Sequence, residues 1–337
     1  VNRTEDRRGR SAARAGVSPR TVSNVVSGSG SVAPDTRRRV QEAIEELGYR
    51  PNLAARTLRA GRTGVIGLAI PELHSPYFGE LAGLLVDEAR RRGWTVVIDQ
   101  TRGEAEAERR LLAQGGGRAV DGLIVSPWAL SPAELAATAP AVPLVVLGER
   151  SPQGAADHVA VDNVAAADEA TTHLVRGGRR RVAAIGLQPH LHNGTALLRA
   201  EGYLRALNRA GLPHPPGARQ AVTALHRADG ARAMAALLDG PEPPDAVFAF
   251  SDELALGALH VAHARGVRVP GELAIVGFDD IEDGRYSHPP LTTVAPDKHQ
   301  IAQRSLQCLA DRIHSPGNTV PPQELTVPHR LVRRATA

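Results

Sequence analysis

From Ala12 to Ser27 the chain reads AARAGVSPRTVSNVVS, and the residue types in its second half can read nucleobases. With Thr21 to Val26 continuing as a helix, Val22, Val25 and Val26 fall on one side. Pro19, Arg20, Ser23, Asn24 and Ser27 are left on the other, a short polar face of the kind that fits a major groove. The same pattern also suits a helical hairpin on a protein surface. Other groupings promise less. Asp279, Asp280, Glu282 and Asp283 form an acidic run without calcium-loop spacing, which reads as a solvated loop. His190 and His192 are loop histidines outside any zinc-finger or zinc-protease spacing. The glycines at 115 to 117 lack the Lys-Ser/Thr ending of a phosphate loop, and no GxSxG elbow occurs. The sequence therefore offers no catalytic constellation, metal site or cofactor motif.

The polar face needs elements that hold it. Ser18 is placed to cap a helix, and Pro19 suits its first turn, where no N–H partner is required. Ala12 and Gly16 supply the small residue and the turn of a helix-turn-helix. A third helix is predicted from Asp35 to Leu47, with Val40, Ala43, Ile44 and Leu47 at i, i+3, i+4 and i+7 and Gly48 as its stop. A short helical stretch, NLAARTL, follows before the Gly61 to Gly64 linker. Residues 1–62 hold 13 arginines against 6 acidic residues, whereas the whole chain carries only +4. A basic head on a slightly acidic body suits polyanion binding, because phosphate attraction is the sequence-independent part of nucleic-acid affinity. A solvated basic tail, or an arginine-rich genome, gives the same count, and Lys298 is the sole lysine.

At 337 residues the chain exceeds one typical domain. It has no apolar stretch long enough for a membrane span and no secretory h-region, so a cytoplasmic protein is expected. Cys308 is the only cysteine, which excludes an internal disulfide and a thiolate zinc cage. From Gly64 onward the runs VIGLAI, TVVID, GLIVS, PLVVL, RVAAIG, AVFAF and LAIVGFDD read as buried parallel strands. Amphipathic helices follow most of them, beginning with one over 78–92 that gathers Leu81, Leu84, Leu85 and Ala89. That repetition predicts two α/β lobes.

In order, spacing and wording, GVSPRTVSNVVSGSG, then EAIEELGYRPNLAARTL, then TGVIGLAIP resemble the LacI/GalR family of bacterial transcription regulators. The resemblance implies a small all-α helix-turn-helix head and an α/β body like periplasmic binding proteins, with two doubly wound parallel-sheet lobes joined by three crossings. It divides the chain into a DNA-binding domain over 1–50 and a hinge helix and linker over 51–62. The first lobe then spans 63–160 with 291–321, and the second 161–290 with 322–337.

By the same resemblance Pro19, Arg20 and Asn24 contact bases, while Thr21, Ser23, Ser27 and Thr36 contact phosphates. Arg20 suits guanine O6 and N7, Asn24 adenine, and Pro19 a thymine methyl. Asn52, Ala55 and Leu58 belong to a hinge helix that pairs with its dimer mate in the minor groove, Leu58 as a wedge between base steps. Seven or eight residues are too few for a helix to persist alone in water, so the hinge should form only with DNA and a partner. Phe78, Trp128, Arg199, Ser251 and Asp279 match effector contacts at strand ends. An arginine fork and a carboxylate grip vicinal hydroxyls and an aromatic ring covers a sugar face, which suits a small polar, sugar-like effector. Taken singly, these residues also read as a surface arginine, a capping aspartate and core aromatics.

Departures from the family pattern are local. Arg7, Arg8 and Ser11 stand where a threonine cap and two apolar side chains are usual, and Arg10 replaces an aspartate, which implies a marginally stable head. Ser251 stands where many relatives have asparagine, and Gly148 where some have aspartate. The expected function is a ligand-responsive regulator, a repressor that binds a palindromic operator as a dimer, with no appended heptad to make tetramers. The alternative is a cytoplasmic sugar-sensing or solute-binding protein without specific DNA binding. An enzyme is not expected.

Overall fold

The computed structural model describes residues 3–27, 31–47, 62–114, 120–138, 142–189, 194–315 and 320–337. Two compact units divide at Gly64, a head and a body. The head comprises α1 (Arg3–Ala15), α2 (Pro19–Ser27) and α3 (Pro34–Glu46). Gly16 turns through φ 64°, a left-handed conformation that glycine adopts without steric cost, and Val17 N–H reaches back to Ala12 O at 3.0 Å. Ser18 caps α2 as its sequence predicts, its Oγ accepting Thr21 N–H at 3.1 Å. Ala12, Ala15, Val22, Val25, Val40 and Ala43 form a core of small side chains. Ser11 is fully buried beside them, so α1 forms although a hydroxyl occupies that position.

The body contains two six-stranded sheets. The first is built from β1 (Val65–Ile70), β2 (Thr95–Gln100), β3 (Gly122–Val125), β4 (Leu144–Leu147), β5 (Asp157–Val161) and β11 (Glu324–Val327), all parallel, in the order β11-β5-β4-β3-β1-β2. The second is built from β6 (Val182–Leu187), β7 (Arg219–Ala221), β8 (Ala246–Ala249), β9 (Ala274–Phe278), β10 (Thr292–Pro296) and β12 (His329–Val332), in the order β12-β10-β9-β8-β6-β7. Among the described strands only β12 runs antiparallel, against β10. The predicted apolar runs supply β1, β2, β3, β4, β6, β8 and β9, largely buried as parallel sheets require except in the edge strand β2, where Val96, Val97 and Ile98 are only partly covered.

Helices cover these sheets. On the first lobe α4 (Pro76–Arg91), α5 (Ala105–Gln114), α6 (Pro132–Ala137) and α12 (Lys298–His314) lie beside the strands. On the second are α7 (Asn163–Arg176), α8 (Gly194–Ala210), α9 (Arg227–Asp239), α10 (Asp252–Ala264) and the short α11 (Glu282–Tyr286). The predicted face of α4 is buried at Leu81, Leu85 and Ala89, with Leu84 partly covered. Gly257 of α10 marks the closest helix approach, since a Cβ there would stand 2.0 Å from Arg227 O.

The chain crosses between lobes after β5, after β10 and after β11. Asp162 and Asp297, directly after the first two crossings, cap the helices that follow by accepting Ala165 N–H and Gln300 N–H, each at 2.9 Å. The second and third crossings touch, with Asp297 N–H donating to Pro328 O at 3.0 Å. Strand pairing shifts two expected lobe boundaries. Residues 292–296 pair with β9 and β12 and belong to the second sheet, whereas residues 324–327 pair with β5 and belong to the first. The cause is hydrogen-bond register, which decides where such short strands join and leaves no mark in their composition.

Candidate functional site

On the head, Pro19 and Arg20 are exposed at the start of α2, and Thr21, Ser23 and Asn24 are partly exposed along it. Val22 and Val25 are buried opposite them, so the helix presents the polar face its spacing predicts. Thr21 Oγ1 lies 2.9 Å from Ser18 Oγ, which ties one predicted phosphate contact to the cap. Thr36 is partly exposed in the first turn of α3. The Ser27 side chain and Asn52, Ala55 and Leu58 lie outside the described residues, as do the glycines at 115 to 117 and His190 and His192.

On the body, Phe78, Trp128, Arg199, Ser251 and Asp279 all line one cleft between the lobes, about 910 Å³ including its mouth. Trp128, Ser251 and Asp279 come from segments just past strand ends, as expected for ligand sites of open α/β sheets, whereas Phe78 lies in the first turn of α4 and Arg199 within α8. Arg199 is no surface arginine, being only 8 % exposed. Its Nε donates to Asn163 Oδ1 at 2.9 Å and its Nη1 to Phe250 O, while the guanidinium stacks 3.4 Å from the Phe278 ring centroid. Its Nη2 lies 3.8 Å from Asp279 Oδ1, beyond a direct hydrogen bond and within reach of a bridging hydroxyl.

Asp279 sits at φ 114°, a conformation rare outside glycine, and it adjoins Asp280 at φ 49°. Burial pushes the Asp279 carboxyl up to about 6, against the pull of Arg199 and Lys298. Burial also raises Asp252, whose carboxylate accepts Ile281 N–H at 2.9 Å and the Thr293 hydroxyl at 2.5 Å beneath that loop. The reading of 279–283 as a solvated loop therefore holds for Glu282 and Asp283 alone. Asp279 and Asp280 are buried and face arginines, Asp280 pairing with Arg334 and Arg285.

Phe78 is a core aromatic that also walls the cleft, and its ring meets Trp128 edge-on at 5.8 Å. The Trp128 loop is clamped from two sides. The fully buried Glu108 carboxylate accepts the N–H groups of Trp128, Ala129 and Leu130 at 2.7 to 3.2 Å. Arg150 donates to the carbonyls of Trp128 and Leu130, both at 2.7 Å. Ser251 caps α10 through Leu254 N–H and donates to Leu225 O at 3.1 Å, so its hydroxyl has partners within the chain. Among the cleft residues that escaped sequence reasoning are Tyr77, Asn163 and Glu149. Glu149 stands two residues past the end of β4 and its Oε1 is buried without a hydrogen-bond partner. A polar residue just past a strand's carboxyl end was the available signal. Polar contacts close the lobes beside the cleft, Glu282 N–H donating to Glu80 at 2.8 Å and Lys298 to Asp280 O at 3.1 Å.

Residues 12–52 match the model of bacterial regulatory proteins of the lacI family, and residues 171–337 the periplasmic binding protein-like domain. The ribose operon repressor of Escherichia coli (strain K12) is 32% identical over 326 residues, covering 96% of this chain and 97% of its own. The chain belongs to the LacI family. Among solved LacI-family structures, that of the lac repressor dimer bound to operator and the anti-inducer ONPF is 28% identical at a TM-score of 0.82. That match covers 100% of this chain and 98% of the other. The CelR–cellobiose complex is 32% identical at a TM-score of 0.72, covering 98% and 99%. No helix among the described residues is long and apolar enough to cross a membrane.

Proposed function

We propose that this LacI-family protein is a cytoplasmic repressor that grips a palindromic operator as a homodimer and answers to a small polyhydroxylated effector, a sugar, in the inter-lobe cleft. One observation carries the reading: the likeness to an operator-bound repressor dimer spans the head and the body together. Arg20 and Asn24 supply base contacts, with Pro19 beside them, and Thr21, Ser23, Ser27 and Thr36 supply phosphate contacts. Asn52, Ala55 and Leu58 form the paired hinge in the minor groove.

In the cleft, Arg199 and Asp279 grip adjacent hydroxyls from opposite sides, with Phe78 and Trp128 as apolar walls. Ser251 holds the start of α10 in place beside them. The relatives named above include a ribose operon repressor and a regulator in complex with cellobiose, which supports a carbohydrate. The chemistry is recognition and no bond is broken.

The test is selection of bound sequences from random duplex DNA by the full chain, with and without ribose and cellobiose. An inverted-repeat consensus is expected. Sugar binding by a protein that selects no consensus would instead make it a solute sensor.

A further inference from the structure

Outside the effector cleft, three potential metal ligands converge at its rim. Glu72 and His74 lie on the loop that joins β1 to α4 in the first lobe, and His226 stands immediately before α9 in the second. One donor atom from each lies within 4.8 Å of the others. His226 Nε2 is 3.2 Å from Glu72 Oε2, and His74 Nε2 is 3.9 Å from the same oxygen. Ligands at 2.0–2.1 Å around a tetrahedral zinc ion stand about 3.4 Å apart, so the His226–Glu72 pair already has that spacing, the His74–Glu72 pair needs a shift of roughly half an ångström, and the His74–His226 pair starts within 4.8 Å. The rings of His74 and His226 lie 5.3 Å apart and tilted, near enough for both Nε2 atoms to turn toward one point.

A second feature suits a metal rather than a simple ion pair. The other ring nitrogen of His226, Nδ1, lies 3.2 Å from Glu253 Oε2. Glu253 is itself held by Arg227 Nε at 2.7 Å. A histidine whose Nδ1–H is donated to a fixed carboxylate presents its Nε2 lone pair outward, the orientation that metal-binding histidines use. The imidazole and carboxylate set fits a divalent ion of the zinc class better than calcium or magnesium, which favour oxygen-only shells.

We propose that Glu72, His74 and His226 bind one zinc-class ion across the two lobes, with Glu253 as the positioning residue for His226. The ion leaves a fourth position for water and ties the loop preceding Tyr77 and Phe78 to the second lobe, so it favours the closed cleft. Histidine spacing could not show this, because the ligands come from different lobes and meet only after folding.

The test is titration of chelator-treated full-length protein with zinc chloride by calorimetry, with a competing chromogenic chelator as a second readout. Wild type should bind one ion per site with a dissociation constant below about 10 µM, and H74A and H226A should each weaken it at least about tenfold. E253Q, a positioning change, should weaken binding while leaving its stoichiometry intact. Far-ultraviolet circular dichroism checks each fold. His74 is 67% exposed, so H74A decides the matter alone should H226A not fold. Binding weaker than that limit, or loss smaller than tenfold in H74A, overturns the proposal, and neither result bears on operator recognition.

Discussion

Replacing Asp279 by asparagine keeps the shape of the side chain and removes its titration. In the folded chain burial raises this carboxyl from its ordinary value of 3.8 to about 6, so the folded state binds the proton more tightly than the unfolded state. A carboxyl raised in this sense contributes stability that is complete below pH 3.8, and that contribution is lost as pH rises through about 6. The total difference is on the order of 3 kcal/mol, of which about 1 kcal/mol is lost between pH 5 and pH 7. Burial and then the Asp279 charge raise Asp252, so D279N also removes the second part of that shift, which acts in the same direction.

Urea unfolding of the full chain and of D279N across pH 5 to 7 measures this directly. The wild type should lose stability relative to D279N by about 1 kcal/mol over that range, whatever constant offset the substitution adds. Parallel pH profiles would show that Asp279 is not buried in the cleft as described, and the electrostatic account of the site would fail with it.

The remaining predictions concern recognition and packing. Arg20→Ala should weaken operator binding by about 1–3 kcal/mol and relax preference at one base pair, read by anisotropy on operator and scrambled duplexes. Equal loss on both would make Arg20 a phosphate contact. Arg199→Lys removes the planar fork that holds Asn163 and Phe250 O, and should weaken sugar binding in calorimetry by about 2–3 kcal/mol while effector-free operator affinity stays unchanged. Unchanged sugar affinity would move the binding site elsewhere. Gly257→Ala sets a methyl 2.0 Å from Arg227 O, where only backbone can yield, and should destabilise the body by about 1–3 kcal/mol in urea unfolding. An unaltered midpoint would contradict the packing of α9 on α10.

Much of this arrangement was legible because local chemistry and tertiary structure agree. Ser18 and Pro19 announce α2, and the apolar runs from VIGLAI to LAIVGF announce the central strands. Strands β7 and β11 were obscure, since RQA and ELTV are short and mostly outside the core. The lobe boundaries moved at β10 and β11, whose sheet membership is fixed by pairing and not by composition. The five cleft residues do meet, but neither Asn163 nor Glu149 stood out in the sequence. Asn163 meets Arg199 through the packing of α7 on α8 within one lobe, whereas Glu149 reaches the cleft because the two lobes face each other, and no periodicity encodes either.

The most direct test of the account uses a sugar chosen by its shift of the melting temperature and an operator chosen by selection. The dissociation constant of each is measured by equilibrium titration with and without saturation by the other. If cleft and operator grip are one linked system, the factor by which sugar changes operator affinity equals the factor by which operator changes sugar affinity. Operator affinity that stays constant while the cleft fills would contradict the account.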